Sequence, residues 1–195
     1  MKLYMNATSG NAYKPRLLLA MLGVPFEQAN VDTSKGEHKS PAFLKINPRG
    51  QIPALEDEGH VFWDSTACLV YIARKHGGEK WLPTDAAGMA EVTQWLALSN
   101  NELHYGVQWA RGVVKGIKKN GNLEEYQGYG NRGLAVLDDH LKSREWLALG
   151  RPTIADIACY PYVGVAHEGG FAMDSYPQVV AWLRRFEKLP GFVTR

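Results

Sequence analysis

The stretch Asn47-Pro48-Arg49-Gly50-Gln51-Ile52-Pro53-Ala54-Leu55-Glu56-Asp57-Glu58-Gly59-His60-Val61-Phe62-Trp63-Asp64-Ser65-Thr66 decides the fold. Pro48-Arg49-Gly50 ends whatever precedes it, because proline and glycine together cannot continue a helix. Residues 52–56 and 60–63 are short apolar-rich runs on either side of the turn-like Asp57-Glu58-Gly59, which predicts an antiparallel hairpin. Asp64-Ser65-Thr66 then supplies the acid and hydroxyls that start a helix, expected to run to about His76.

Toward the amino terminus, residues 2–5 form a short apolar run. Leu17, Leu18, Ala20, Met21 and Leu22 follow at helical density until Gly23 stops them. Phe26 to Val31 reads as a second strand, and a strand–helix–strand unit of this kind requires its two strands to be parallel. Ser40-Pro41 predicts an N-cap with proline at the first helical position, opening a short helix that carries Phe43, Leu44 and Ile46. The order strand, helix, strand, helix, strand, strand, helix gives a four-stranded mixed sheet.

Toward the carboxyl terminus, Gly77-Gly78 and Pro83-Thr84-Asp85 punctuate the chain. The expected organisation is a first domain over 1–77, a linker over 78–85 and a second domain over 86–195. In the second domain Trp95 and Leu98, then Leu134, Leu137 and Leu141, then Val179, Val180, Leu183 and Phe186 recur at three and four. That predicts an all-α helix bundle, and the class of the whole chain is α+β. Helix ends within 111–133, rich in Gly, Lys and Asn, are left open.

Composition narrows the functions. Among 195 residues, 45% hydrophobic and 22% charged is the balance of a folded globular protein with a real core. Residues 1–80 hold ten Lys/Arg against eight Asp/Glu, and the remainder holds twelve of each. No basic stripe marks a nucleic-acid partner. Cys68 and Cys159 stand far apart and support neither a disulfide framework nor a zinc site. The amino terminus turns polar too early for a signal peptide, and no run reaches the ~20 apolar residues of a membrane span. A reducing, cytoplasmic location is the expectation.

Three places can carry chemistry, and each has two readings. Thr8-Ser9-Gly10-Asn11 lies where the first strand gives way to the first helix. Ser9 or Asn11 is there either a simple N-cap or part of a site for an anion such as a thiolate or phosphate, held by unpaired N–H groups and the helix dipole. Pro53 is either an edge residue or a cis turn, the second of which would aim the Ile52 backbone outward. Asp64-Ser65 either caps a helix or holds a ligand's ammonium and carboxylate.

Taken together, Ser9-Gly10-Asn11-Ala12-Tyr13-Lys14-Pro15-Arg16-Leu17, Gly36-Glu37-His38-Lys39, the segment 47–55 and Asp64-Ser65-Thr66-Ala67 resemble the glutathione transferase family. Pro152-Thr153-Ile154-Ala155-Asp156-Ile157-Ala158 resembles its second-domain capping box and hydrophobic staple. The resemblance covers residues 2 to about 192. It implies a thioredoxin-like first domain that binds glutathione as co-substrate, without a cofactor, and a helical domain that shapes the second-substrate pocket.

Position by position, the resemblance implies that the Ser9 hydroxyl donates to the glutathione sulfur, with Asn11 placed to assist or replace it. His38 and Lys39 would neighbour the glycine carboxylate, the Ile52 main chain would pair with the cysteinyl unit before cis-Pro53, and Asp64-Ser65 would grip the γ-glutamyl end. A homodimer is implied too, with the third and fourth helices as its contact. Two departures stand out: the acid before Ser65 is more often glutamate in the family, and the thiol of the cysteine-type classes is missing beside Ser9.

The chemistry needs a thiolate, because a free thiol with a pKa of about 8.5 is mostly protonated at neutral pH. A hydrogen bond to sulfur and a helix dipole favour the charged form, and one to two units of depression correspond to roughly 1.4–2.7 kcal/mol. The second substrate, a small hydrophobic electrophile, is expected between the domains against apolar and aromatic side chains. Tyr105, Trp109 and Arg111 are the candidates, each of which also reads as an ordinary core or surface residue. Cys68 and Cys159 read as core, and His104 and His140 lack partners at metal-ligand spacing, so no metal is expected. Two rival functions remain: a glutathione-dependent disulfide reductase in which Thr8 and Asn11 orient the sulfur, and a non-catalytic binding module.

Overall fold

The computed structural model describes all 195 residues, which separate into two compact units, Met1–Leu82 with Pro190–Arg195 and Pro83–Leu189. The first unit runs β1 (Lys2–Met5), α1 (Gly10–Met21), β2 (Glu27–Asn30), α2 (Pro41–Ile46), β3 (Ala54–Asp57), β4 (His60–Phe62) and α3 (Ser65–Ile72). Its sheet has the order β2-β1-β3-β4, with β1 and β2 parallel and the other pairs antiparallel. This is the mixed four-stranded sheet that the order of elements predicts, in the thioredoxin-like arrangement that the resemblance implies. Only two residues, Glu58 and Gly59, separate the paired Asp57 and His60, and both have positive φ (49° and 80°). That conformation matches the twist of the flanking strands.

Register explains the core. Leu3 pairs with Leu55 and Tyr4 with Ala54, so the side chains of Leu3, Leu55 and Met5 alternate onto buried positions together with Leu17, Leu18, Leu69 and Ile72. Helix starts follow local chemistry. Ser40 Oγ accepts from Phe43 N at 3.2 Å with Pro41 in the first turn, and Asp64 Oδ1 accepts from Thr66 N at 2.8 Å. After α3 the chain continues in a wider π-type turn, Ala73–Gly77, so the expected helix to His76 is α-helical only as far as Ile72.

The second unit is all helical: α4 (Ala86–Leu98), a π-helical stretch Ser99–Gln108, α5 (Trp109–Val114), α6 (Leu123–Leu141), α7 (Ile154–Val163) and α8 (Pro177–Phe186). No helix is long and apolar enough to cross a membrane. The segment left open in the sequence resolves into the end of α5 at Val114 and the start of α6 at Leu123, where Asn122 caps Glu125 N at 3.2 Å. The π-helical stretch meets α6 backbone to backbone. A Cβ on Gly106 would lie 2.2 Å from Gly130 N, so only glycine permits this crossing.

One boundary differs from expectation. The helical domain does not extend to residue 195, because Pro190–Arg195 returns to the first unit. The Tyr13 hydroxyl donates to Val193 O at 2.5 Å, Arg16 donates to Thr194 O at 3.1 Å, and Arg195 donates to Thr8 O. No sequence pattern announces this, since the partners are backbone carbonyls some 180 residues away.

Asp156 is fully buried at the start of α7. Thr153 and Asp156 form the expected capping box, and the Asp156 carboxylate also accepts from Leu147 N at 3.2 Å and Trp182 Nε1 at 3.0 Å. Burial nevertheless dominates and raises its pKa from 3.8 to about 6, the N–H donors only opposing the shift. An acid whose folded pKa is raised binds its proton more tightly folded than unfolded, so its contribution to stability falls as pH rises from about 4 to 6.

Asp156→Asn should destabilise the protein by about 2–4 kcal/mol near pH 5, because an amide nitrogen facing buried N–H donors leaves at least one unsatisfied. The gap between wild type and variant in urea unfolding should narrow as pH is raised from 4 to 7. A gap that widens with pH would mean that the buried carboxylate is held in its ionised form.

Candidate functional site

The first strand delivers the chain to Ser9, which becomes the N-cap of α1 with extended backbone dihedrals (φ −80°, ψ 117°). Its Oγ accepts from Ala12 N at 3.2 Å. A capping hydroxyl accepts one bond and keeps its proton for another acceptor, so the capping and the chemical readings of Ser9 coexist. Thr8 is committed differently, its hydroxyl donating to Asn6 Oδ1 at 3.1 Å.

Two residues after Ser9, Asn11 Oδ1 accepts from the Ser65 hydroxyl at 3.1 Å. Ser65 is almost completely buried at the first position of α3. The beginnings of α1 and α3 therefore meet, and two residues that are 54 apart in sequence share one hydrogen bond. Asp64, just before, is half-exposed and pairs with Arg49 at 3.3 Å. The Arg49 guanidinium also lies 5.9 Å from the Trp63 ring centre. The shorter acid is thus already held from the loop before β3.

That loop is built by Asn47. Its side chain donates to Gln51 O at 2.7 Å and accepts from Arg49 N at 3.0 Å, and the residue is buried. Gly50 completes the turn at φ +55°, where a Cβ would press on His38 O at 2.8 Å and on the Lys39 side chain. Lys39 donates to Arg49 O at 3.2 Å, and His38 Nδ1 is buried without a hydrogen-bond partner. Beyond this turn the Ile52–Pro53 peptide is cis, as one of the two sequence readings requires; Trp63–Asp64 is cis as well.

Ser9, Asn11, Ser65 and Asp64 thus gather at two neighbouring helix starts, and His38 and Lys39 pack on the loop that leads to Ile52 and Pro53. Sequence reasoning assigned no role to Asn47 or Arg49, which shape and tie this loop. It also passed over Lys14, a lysine of α1 that is completely buried; a charged residue on a helix ordinarily reads as surface. Cys68 is core: burial pushes its thiol up to about 12, so it holds no thiolate near neutrality.

In the helical unit the three second-substrate candidates part company. Tyr105 and Trp109 line a cavity of about 420 Å³ together with Asn101, Glu102, Glu125, Tyr126 and Tyr129. Arg111 is not one of its walls. Its guanidinium is engaged by Glu168 Oε2 at 2.9 Å, and Lys115 reaches the same oxygen at 3.0 Å. Lys115 and Arg111 hold the Glu168 carboxyl below its ordinary pKa. A charge neutralised in this way is an anchor between α5 and the turn Ala166–Gly169.

Known proteins resemble this chain over most of its length. The family model described as glutathione S-transferase, N-terminal domain, matches residues 1–74, and that described as glutathione S-transferase, C-terminal domain, matches residues 120–185. A crystal structure of a possible glutathione S-transferase from Rhodopseudomonas palustris superposes with a TM-score of 0.90 at 38% identity, over 99% of this chain and 88% of that one. A glutathione S-transferase structure from Pseudomonas fluorescens gives 0.92 at 34% identity, over 99% and 97%. A maleylacetoacetate isomerase of Pseudomonas aeruginosa is 29% identical over 92% of this chain and 87% of its own length. With both family models matched and relatives above 30% identity covering nearly its whole length, the chain belongs to the glutathione S-transferase family.

Proposed function

We propose that this protein binds glutathione, stabilises its thiolate and conjugates it to a small hydrophobic electrophile. The observation that carries this reading is the Ser9 N-cap. Its hydroxyl accepts from Ala12 N and keeps a proton to donate, at the positive end of a 12-residue helix. A sulfur placed there would receive a hydrogen bond and a favourable dipole, both stronger for the thiolate than for the thiol. The thiol proton leaves to solvent, the sulfur bonds to the electrophilic carbon, and the leaving group departs with its electron pair.

The other residues have supporting roles in this reading. The Ile52 main chain beside cis-Pro53 takes the cysteinyl unit, Asp64 and Ser65 take the γ-glutamyl end, and His38 and Lys39 neighbour the glycine carboxylate. Tyr105 and Trp109 offer the aromatic surface for the second substrate, while Arg111 is engaged by Glu168. Glutathione enters this reading as a co-substrate, and the reaction needs no cofactor. A cytoplasmic homodimer fits the family, and half-exposed Val61 and Trp63 in the first unit and Val136 in the second are apolar surface that a second copy would cover.

A disulfide reductase is the second reading, and the Ser65–Asn11 bond favours it. It holds the Asn11 amide at the start of α1, two residues from Ser9. The likeness to an isomerase adds a third glutathione-dependent reaction to be assayed beside these.

Ser65→Ala should weaken glutathione binding in calorimetry by roughly 1–3 kcal/mol, through loss of a hydroxyl whose single proton goes either to Asn11 Oδ1 or to the ligand's carboxylate. Unchanged affinity would remove the γ-glutamyl role. Ser9→Ala should raise the pKa of the bound thiol, read by ultraviolet titration, and slow conjugation of a chloronitrobenzene by about 10–100-fold, the equivalent of roughly 1.5–3 kcal/mol. Asn11→Ala should have the smaller effect. The reverse ranking, with faster turnover of a small disulfide than of the chloronitrobenzene, would transfer the assignment to the reductase.

A further inference from the structure

The cavity in the helical unit has a composition that a neutral hydrophobic ligand does not require. Four of its seven walls are aromatic, and two of the others are the carboxylates Glu102 and Glu125. Neither carboxylate has an ion-pair partner. The rings stand at steep angles to one another, as adjacent sides of a box do: Tyr105 and Trp109 are 4.4 Å apart at 69°, and Trp109 and Tyr126 are 5.3 Å apart at 83°. Tyr105 and Tyr129 are 46% and 41% exposed, an unusual state for large rings that could pack on each other. The Gly106–Gly130 backbone contact forces this arrangement, since it brings the neighbouring Tyr105 and Tyr129 to the same crossing point.

The protein's own cations show what these rings attract. The Lys118 ammonium sits 4.1 Å from the Trp109 ring centre and 5.8 Å from that of Tyr126, and the Arg132 guanidinium sits 4.3 Å from that of Tyr129. Neither residue is a wall of the cavity. Arg111 and Lys115, two further cations nearby in sequence, are engaged by Glu168. An electron-rich ring face with a carboxylate beside it binds organic ammonium groups better than it binds neutral groups of the same shape. A cavity of this size also has room for an apolar body attached to the charge.

We propose that this cavity is a seat for an organic cation, namely a quaternary or tertiary ammonium carried on an aromatic or aliphatic body. Tyr105, Trp109, Tyr126 and Tyr129 form the walls of the seat, and Glu102 and Glu125 supply its counter-charge. This deepens the second-substrate reading, on which it rests only for its consequence in turnover, by assigning a positive charge to the preferred electrophile. Lys118 then acts as a resident competitor for the Trp109 face.

The test uses the full chain without glutathione, with benzyltrimethylammonium and its uncharged isostere neopentylbenzene as probes, followed by saturation transfer to the ligand methyl protons. The cation should bind about tenfold more tightly than the isostere. Tyr105→Leu, which keeps an apolar surface but removes the ring, should remove most of that preference, and E102Q/E125Q should weaken cation binding by about threefold to tenfold. Lys118→Gln should tighten it. Equal binding of the two probes, or weaker cation binding by Lys118→Gln, overturns the inference. Added to a chloronitrobenzene assay, the cation should inhibit in competition with the electrophile. Tight cation binding without inhibition upholds the seat and refutes the second-substrate reading. Conversely, loss of turnover in Tyr105→Leu without any cation preference upholds that reading and refutes the seat.

Discussion

The hydrogen bond from Ser65 to Asn11 joins the amino-terminal ends of α1 and α3, and the candidate chemistry of the first unit is organised around it. The two helices pack on each other, and Leu17, Leu18, Leu69 and Ile72 bury the apolar surface between them and the sheet. That burial fixes where each helix begins relative to the other. Two dipoles then start at one place, and the caps Ser9 and Asp64 stand beside each other because their helices do. Sidedness comes from the sheet: β1 and β3 are antiparallel neighbours, so the end of β1 and the beginning of β3 lie at the same edge.

Around this point the structure uses side chains to hold backbone rather than to face solvent. Asn47 closes the loop into β3 with bonds to two peptide groups, and Arg49 crosses to Asp64. The carboxyl-terminal segment does the same from the other side through Tyr13, Arg16 and Arg195. Each is a modest contribution of about 0.5–1.5 kcal/mol, but all act on the same few loops, where preorganisation matters more than bulk stability. The helical unit has a different anchor. Asp156 gathers the start of α7, Leu147 and Trp182 of α8 around one buried carboxylate, and a group with so many donors defines one arrangement.

The aromatic cavity shows how a weak sequence signal becomes a defined shape. Tyr126 and Tyr129 lie within 111–133, where the sequence leaves the helix ends open, and Tyr105 and Trp109 lie just before it. The π-helical turns of Ser99–Gln108 alter the phase of the helix just before Trp109, and the glycine contact sets the spacing to α6. Neither effect follows from the periodicity of apolar residues, so Arg111 could be grouped with Tyr105 and Trp109 in the sequence and still be drawn away to Glu168.

What the sequence by itself determined is what depends on near neighbours along the chain. The hairpin around Glu58-Gly59, the caps at Ser9, Ser40, Asp64 and Thr153 and the helical repeat after residue 86 all follow from local sterics and hydrogen bonding, because each choice is made within four or five residues. The family resemblance rests on the same short motifs. Only the tertiary structure decided that Ser65 bonds to Asn11, that Lys14 is buried, that Arg111 is held by Glu168 and that residues 190–195 return to α1. Those outcomes depend on which distant surfaces meet, and a partner supplied by a peptide carbonyl or a glycine crossing leaves no pattern in the order of residue types.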